Sequence, residues 1–161
     1  MNSRSRPRDA DYRERLAPSL WTIVAAMVCA PMATLVFVKI GTTLALLIGA
    51  AVAIALVAAL IGLAPIVDVT GSVLRVGPAR IDVSYLGEPT ALRGEQARTV
   101  RGPGLPAHAW HMLRGGIDGV VVLPLTDPDD PAPAWVVSSR TPDRLAAAVR
   151  RAQFRPRTPR R

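Results

Sequence analysis

The feature that most constrains this chain is its apolar run, Leu20–Val67, which is 48 residues long and contains one charged side chain, Lys39. A single helix of that length would extend about 72 Å, at about 1.5 Å per residue, whereas the hydrocarbon core of a bilayer is about 30 Å thick. The run must therefore break. The segment 39–41 holds the lysine and a glycine that can adopt a left-handed turn. The sequence predicts a transmembrane hairpin with spans at 20–38 and 42–65.

The first span could instead be a cleaved signal peptide. Its apolar run is longer than the usual hydrophobic region of about 7–15 residues, and no small-x-small cleavage site follows it before the second span. Cys29 is the only cysteine, and the valine before it does not suit a lipoprotein cleavage site. We therefore expect a retained signal anchor, with a kink at Pro31.

Small residues recur every four positions in both spans, a pattern that lets membrane helices pack closely. They are Ala25, Cys29 and Ala33 in the first span, and Ala45, Gly49 and Ala53 in the second. Because alanine is common throughout the chain, the pattern is equally compatible with background composition.

The net charge of +8 is distributed unevenly. Residues 1–19 carry +2, residues 68–149 carry −1 and residues 150–161 carry +6. Since arginine and lysine near membrane helices favour the cytoplasmic side, we expect a plasma-membrane protein with both termini in the cytoplasm and an outward-facing turn. Nineteen of the twenty basic residues are arginine and only 4% of residues are aromatic, which argues against nucleic-acid binding.

Both ends of the chain are polar. We expect the basic segments 1–19 and 154–161 to be disordered, because they lack an apolar face to bury. An arginine near an anionic membrane surface gains about 1 kcal/mol. The candidates for such contact with the lipid bilayer are Arg13, Arg15, Arg150 and Arg151.

From residue 66 the pattern changes to short β-strands. The segment 79–86 alternates apolar and polar residues, which predicts a half-buried strand. Similar runs predict six or seven antiparallel strands, ending with 134–138, and a hairpin connection at 115–119. The segment 88–101 is compatible with either short strands or a helical turn.

A C-terminal helix is predicted over 142–153, with Thr141 as N-cap and Pro142 in the first turn. The predicted fold class is membrane α+β: a two-helix transmembrane hairpin followed by a small antiparallel β-rich cytoplasmic domain, 66–153, that ends in this helix. The order of elements is similar to that of pleckstrin-homology-like domains, which is an analogy from element order only.

Several short segments form recognisable motifs: Tyr12–Pro18, Leu74–Arg80, Tyr85–Glu88, Thr126–Pro131 and Trp135–Pro142. Together they resemble an actinobacterial membrane-protein family called domain of unknown function 3093. The resemblance covers roughly residues 12–152, is most specific in the last motif, and departs from the family pattern at Ala134 and over 111–119. It implies a two-span membrane protein with a cytoplasmic β-rich domain, and it implies no activity.

Two groups of residues suggest metal binding. His108 and His111 would share a metal on a helix but would point to opposite faces of a strand. Asp127, Asp129 and Asp130 suggest calcium, yet the central glycine and distal glutamate of an EF-hand loop are missing. We therefore predict no metal and no cofactor.

The strand-to-helix junction is the other chemical candidate. Ser138 lacks the glycines of a nucleophile elbow. Ser139, Arg140 and Thr141 form a possible anion or headgroup contact, because a helix N-terminus offers free N–H groups beside the arginine; helix capping alone also explains these residue types. Trp110 and Trp135 could line a pocket, but a buried core position is expected for a tryptophan in a strand.

These observations predict a non-enzymatic membrane protein that presents a small interaction domain at the cytoplasmic face of the inner membrane. A protein partner or lipid headgroups would be the ligand. The alternative is an accessory subunit of a larger membrane enzyme or transporter, which the small-residue pattern of the spans would suit.

Overall fold

The computed structural model describes residues 11–127 and 129–155. Its contacts divide the chain into two compact units: residues 17–64, and a unit built from the residues on either side of that segment. The first is helical, and the second contains all the strands of the described residues. The predicted disorder of residues 1–10 and 156–161 lies outside the described residues.

The helical unit contains α1 (Leu20–Met27), α2 (Cys29–Phe37) and α3 (Thr42–Gly62). The first two helices run consecutively and are interrupted at Val28. The interruption lies three residues before Pro31, which has no N–H to donate to the carbonyl four residues earlier and whose ring crowds that carbonyl. Two apolar helices are therefore present where the sequence predicted them.

Helix α3 packs against α2 through a glycine. A Cβ atom placed on Gly49 would lie 2.1 Å from Thr34 Oγ1 and 2.8 Å from the Ala30 carbonyl oxygen. Ala45, one turn earlier, is fully buried. The small-residue pattern of the second span is thus used in packing, whereas Cys29 of the first span is exposed, and Ala30 and Thr34 face Gly49 instead.

Most apolar side chains of the helical unit are not covered by protein. Leu20 and Trp21 are each 81% exposed, Ile54 is 70% exposed and Leu63 is 80% exposed. Leu20–Phe37 and Thr42–Gly62 are each long and apolar enough to cross a bilayer. Exposed apolar surface on this scale is unusual for a monomeric soluble protein.

The second unit begins with a strand that the sequence analysis missed. β1 (Tyr12–Arg15) pairs antiparallel with β2 (Ile66–Thr70), in a register that aligns Arg15 with Ile66. The backbone N–H of Leu16 donates to the Pro65 carbonyl at 2.9 Å. The prediction of disorder over 1–19 is therefore wrong for residues 12–15, because Tyr12 and Leu16 pack into the apolar core.

β2 continues into β3 (Val73–Val76) and β4 (Ala79–Asp82), which completes a four-stranded antiparallel sheet in the order β1-β2-β3-β4. The predicted strand 79–86 ends early, and a turn of 3₁₀ helix follows at Val83–Tyr85. The Asp82 side chain causes the change, since its Oδ1 accepts hydrogen bonds from Ser84 N at 3.0 Å and from Ser84 Oγ at 2.7 Å. Such local side-chain bonds compete with strand pairing.

The second sheet has the order β5-β7-β8-β6 and contains one parallel pair. Its strands are β5 (Thr90–Leu92), β6 (Trp110–Met112), β7 (Val120–Pro124) and β8 (Ala134–Ser138), with helix α4 (Gly94–Arg101) between β5 and β6. The expectation of an entirely antiparallel domain is therefore wrong. So is the hairpin at 115–119, because β8 lies between β6 and β7. Ile117 is buried and holds this connection in the core.

One apolar core joins both sheets to the C-terminal helix α5 (Pro142–Gln153), whose bounds match the prediction. Leu145, Ala148 and Val149 supply its buried face, as their spacing predicted. Val136, on the opposite face of β8, belongs to a smaller cluster with Ala97 of α4. β8 is therefore buried on both faces, and a short junction leads from it to the start of α5.

Candidate functional site

The polar centre of the domain is the carboxylate of Glu14 on β1. Its Oε1 accepts a hydrogen bond from the backbone N–H of Arg140 at 2.8 Å, and its Oε2 accepts one from Ser139 Oγ at 2.6 Å. The Tyr12 hydroxyl donates to the same Oε2 at 2.5 Å. A carboxylate of the chain itself thus occupies the anion-binding position at the junction before α5.

The three residues predicted as an anion contact are brought together here. Thr141 N donates to Ser139 Oγ at 3.1 Å, and the Thr141 hydroxyl lies 2.9 Å from the Tyr12 hydroxyl. Thr141 is at the N-cap position, as predicted, but its side chain makes no capping bond. Ser139 is fully buried, whereas the Arg140 guanidinium is exposed and donates to the Arg15 carbonyl at 3.1 Å.

Two titratable groups in this region have shifted pKa values. Burial raises the pKa of Tyr12, and the hydrogen bond to Glu14 raises it further, because an ionised tyrosine would face a carboxylate. A hydrogen bond from Arg93 lowers the pKa of Asp143, with Arg93 Nη2 lying 2.7 Å from Asp143 Oδ2. Asp143 therefore holds the first turn of α5 to the segment before α4.

An open cleft of about 650 Å³ lies between β1 and α5. The side that β1 supplies includes Tyr12, Arg13 and Glu14, and the other side follows α5 from its first residues to Arg151. The charged residues that line it are Asp11, Arg13, Glu14, Arg140, Asp143, Arg144 and Arg151. The cleft includes Tyr12, Glu14 and Thr141 of the hydrogen-bond network described above among its lining residues.

These elements fall inside the region covered by a known family. The model of the protein family described as "Protein of unknown function (DUF3093)" matches residues 11–149. The chain belongs to the DUF3093 family. No curated protein and no solved structure matches the chain. The DUF3093 match includes both apolar helices, the Glu14 network and every lining residue of the cleft except Arg151.

The four arginines predicted to contact a membrane surface are in different situations. Arg13 and Arg151 line the cleft. Arg15 follows Glu14 on β1, and its carbonyl accepts the bond from Arg140. Arg150 instead forms an ion pair with Glu88 at 2.5 Å and donates to the Pro89 carbonyl at 3.0 Å, which anchors α5 to the segment before β5.

The other candidates from the sequence are placed apart from the cleft. His111 Nδ1 lies 3.2 Å from the Ala109 carbonyl, while His108 lies in the loop before β6 with a positive φ of 63°. Within residues 11–127 and 129–155, no three histidine, cysteine or acidic side chains group as a metal site. Asp127 and Asp130 instead accept backbone hydrogen bonds within their own loop, from residues 129 and 132.

The buried candidates serve the core. Ser138 is fully buried, and its Oγ accepts a hydrogen bond from Arg114 N at 3.1 Å. Trp135 is buried, as expected, and its ring centroid lies 4.3 Å from that of Trp110. These contacts support packing between β6 and β8.

Sequence reasoning missed Tyr12, Glu14 and Arg144 as site residues of this DUF3093 chain. The segment Tyr12–Leu16 gives no alternating signal for the first two, because three consecutive charged residues, 13–15, separate its two apolar ones. Its five residues stand directly before the apolar run, so they resemble the charged flank of a membrane helix. Arg144 has no local signal, because an exposed arginine on a helix is ordinary.

Proposed function

We propose that this protein is a non-enzymatic membrane protein that presents its β-rich unit as an interaction domain at the cytoplasmic face of the plasma membrane. The observation that carries the proposal is the exposed apolar surface of Leu20–Phe37 and Thr42–Gly62. A bilayer is the covering that suits two helices of this length and composition. The interaction role is supported by the open, charged cleft beside Glu14.

The pairing of β1 with β2 supports a hairpin with both ends on one side. Leu16 and Pro65 are hydrogen-bonded neighbours, although the whole helical unit separates them in sequence. A chain that leaves the domain at Leu16 and returns at Pro65 must cross a membrane an even number of times. The two helices satisfy this requirement, and the arginine-rich termini favour the cytoplasm for that side.

The proposed absence of catalysis is supported by the surroundings of the candidate nucleophile, Ser138, and of the two histidines considered as metal ligands. Ser138 is buried and accepts a backbone hydrogen bond, and His108 and His111 belong to a loop and a strand with no third ligand type beside them in the described residues. A pleckstrin-homology-like architecture is also part of the proposal. Two four-stranded sheets and a C-terminal helix support it, and the parallel pairing of β6 with β8 is a departure from it.

Membrane anchoring is tested by replacing residues 17–64 with a two-residue Asn-Gly turn. The register of β1 and β2 makes this a direct hairpin closure, because Leu16 and Pro65 already face each other. Full-length protein should remain in the membrane pellet after alkaline carbonate extraction, and the shortened protein should be soluble. Full-length protein in the carbonate supernatant would rule the anchor out.

Topology is tested through Lys39, the only lysine of the chain. A membrane-impermeant amine reagent applied to intact cells should label Lys39 and leave the N-terminal amine unlabelled, while lysed cells should show both labels. Lys39→Arg is the matched control, since it keeps the charge and removes the reactive amine. Labelling of the N-terminus and not of Lys39 in intact cells would reverse the proposed orientation.

The second candidate function is an accessory subunit of a larger membrane enzyme or transporter. The close approach at Gly49 favours it only indirectly, by showing that these helices pack through small residues. Purification in mild detergent from native membranes separates the two functions. A stoichiometric membrane partner would favour the subunit role, and a lone chain or homo-oligomer would favour the interaction domain.

A further inference from the structure

The cleft between β1 and α5 contains carboxylates that are already engaged. Glu14 accepts the hydrogen bonds from Tyr12, Ser139 and the Arg140 backbone described above. Asp11 Oδ2 lies 2.5 Å from Arg155 Nη1, and Asp143 forms its pair with Arg93. Since Arg93 and Arg155 are not among the lining residues, they neutralise two of the three acidic groups from outside the cleft.

Three arginines that line the cleft, unlike its carboxylates, have no side-chain partner among the described residues. Arg13, Arg144 and Arg151 form no ion pair or hydrogen bond with any side chain of residues 11–127 and 129–155. With Asp11 and Asp143 counted against their arginine partners, and Glu14 counted against Arg140, the other three lining arginines leave the cleft with a charge of +3.

The arrangement of these arginines suits a compact anion. Arg144 and Arg151 are two helical turns apart on α5, a separation of about 10 Å along the axis. Ala147 lies between them and leaves room above the helix surface, while Arg13 belongs to β1. The volume of about 650 Å³ falls within the range of small-ligand sites, roughly 300–1,000 Å³. A guanidinium group can donate two parallel hydrogen bonds to two oxygens of one phosphate, so a phosphate is an anion that suits these side chains.

We propose that this cleft binds a phosphate-bearing anion, with Arg13, Arg144 and Arg151 as the contacts and the Arg140–Glu14 junction as its rigid base. The inference deepens the proposed function, on which it rests, by assigning the chemical class of ligand to the interaction domain. A lipid headgroup and a soluble phosphate compound present the same chemistry. The two sources are separated by the experiment.

The test uses the full-length chain in nanodiscs of zwitterionic phospholipid, titrated with inorganic pyrophosphate by calorimetry. The double variant Arg144→Ala/Arg151→Ala should bind at least tenfold more weakly than the wild type. The matched control is Arg80→Ala/Arg98→Ala, which removes the same charge from exposed positions outside the cleft. Equal affinity of the wild type, the cleft variant and the control would overturn the proposal.

A second arm adds an anionic phospholipid to the nanodiscs and counts retained lipids by native mass spectrometry. Retention by the wild type and the control, but not by the cleft variant, would identify a headgroup. Pyrophosphate binding without lipid retention would identify a soluble ligand, and both results support the phosphate site. Binding of neither probe by the wild type would overturn it. Such a failure leaves carbonate extraction unchanged, so it is distinguishable from a failure of membrane anchoring.

Discussion

Ser139 donates a hydrogen bond of 2.6 Å to Glu14, a residue 125 positions earlier in the chain. This bond joins the strand that precedes the helical unit to the junction that starts α5. The same carboxylate accepts the Arg140 N–H at 2.8 Å, so one acidic side chain serves both a buried hydroxyl and the N-terminal end of a helix. The position of β1 therefore depends on Glu14 as well as on strand pairing.

Replacing Glu14 should destabilise the β-rich unit substantially. Glu14→Ala removes the acceptor from buried Ser139, and hydrogen bonds to a charged group contribute about 1.5–3 kcal/mol each. We expect the free energy of unfolding to fall by roughly that amount, measured by urea titration in detergent with tryptophan fluorescence. Glu95→Ala is the control, because Glu95 is exposed on α4 and its contact with Arg98 is 3.7 Å long. Equal urea midpoints for the two variants would contradict this role of Glu14.

Tyr12 should make the β-rich unit sensitive to alkaline pH. Because its pKa is raised in the folded state, the folded protein retains this proton at pH values where the unfolded chain has lost it. The resulting stabilisation is complete below the unfolded pKa of about 10 and is lost as the pH rises through the folded pKa. The melting temperature should therefore fall above pH 10.

The matched variant for this titration is Tyr12→Phe, which retains the ring and removes the ionisable hydroxyl. It should cost about 1.5–3 kcal/mol at neutral pH, the usual contribution of a hydrogen bond to a charged group. The difference in melting temperature between the wild type and Tyr12→Phe should narrow between pH 9 and pH 11. A difference that stays constant over this range would show that the Tyr12 proton is not linked to folding.

Local sequence patterns predicted the helices and strands that are determined by residues close together in the sequence. The apolar run predicted both long helices, a short strand was predicted at 134–138 where β8 lies, and Thr141-Pro142 marked the start of α5. What failed were pairings between distant segments. β1 pairs with β2 across the helical unit, and β6 pairs in parallel with β8, which follows it by two strands. Nothing in a short strand specifies a partner that far along the chain.

In the candidate site, too, some residues could be identified from a local sequence pattern and others depend on contacts between distant segments. Ser139, Arg140 and Thr141 were identified from the local signature of a helix N-terminus, and the structure brings them together around a negative charge. That the charge belongs to Glu14 follows only from tertiary structure. The cleft likewise depends on the approach of β1 to α5. Its arginines are far apart in the sequence, so the sequence alone did not indicate that they line one cleft.

The junction before α5 should tolerate no side chain at Gly119. A Cβ atom there would lie 2.4 Å from the Ser139 carbonyl oxygen and 2.8 Å from Pro142 Cγ. Gly119→Ala should therefore destabilise the unit by about 1–3 kcal/mol, the usual effect of overpacking. Gly115→Ala is the control, since nothing lies within 4 Å of its added Cβ. If the Gly119→Ala and Gly115→Ala variants had equally lowered urea midpoints, or midpoints equal to that of the wild type, the backbone at Gly119 would be able to move aside.

The helical unit should depend on the absence of a side chain at Gly49. The Cβ of Gly49→Ala would lie 2.8 Å from the Ala30 carbonyl oxygen, so α2 and α3 must separate and lose part of their packing. We expect a lower melting temperature of the helical signal in detergent, measured by circular dichroism. Gly62→Ala in the same helix meets no atom within 4 Å, and it should leave that temperature unchanged or slightly raised, since alanine favours helix over glycine. If the Gly49→Ala and Gly62→Ala variants had the same melting temperature, the close approach of the two helices would not contribute to stability.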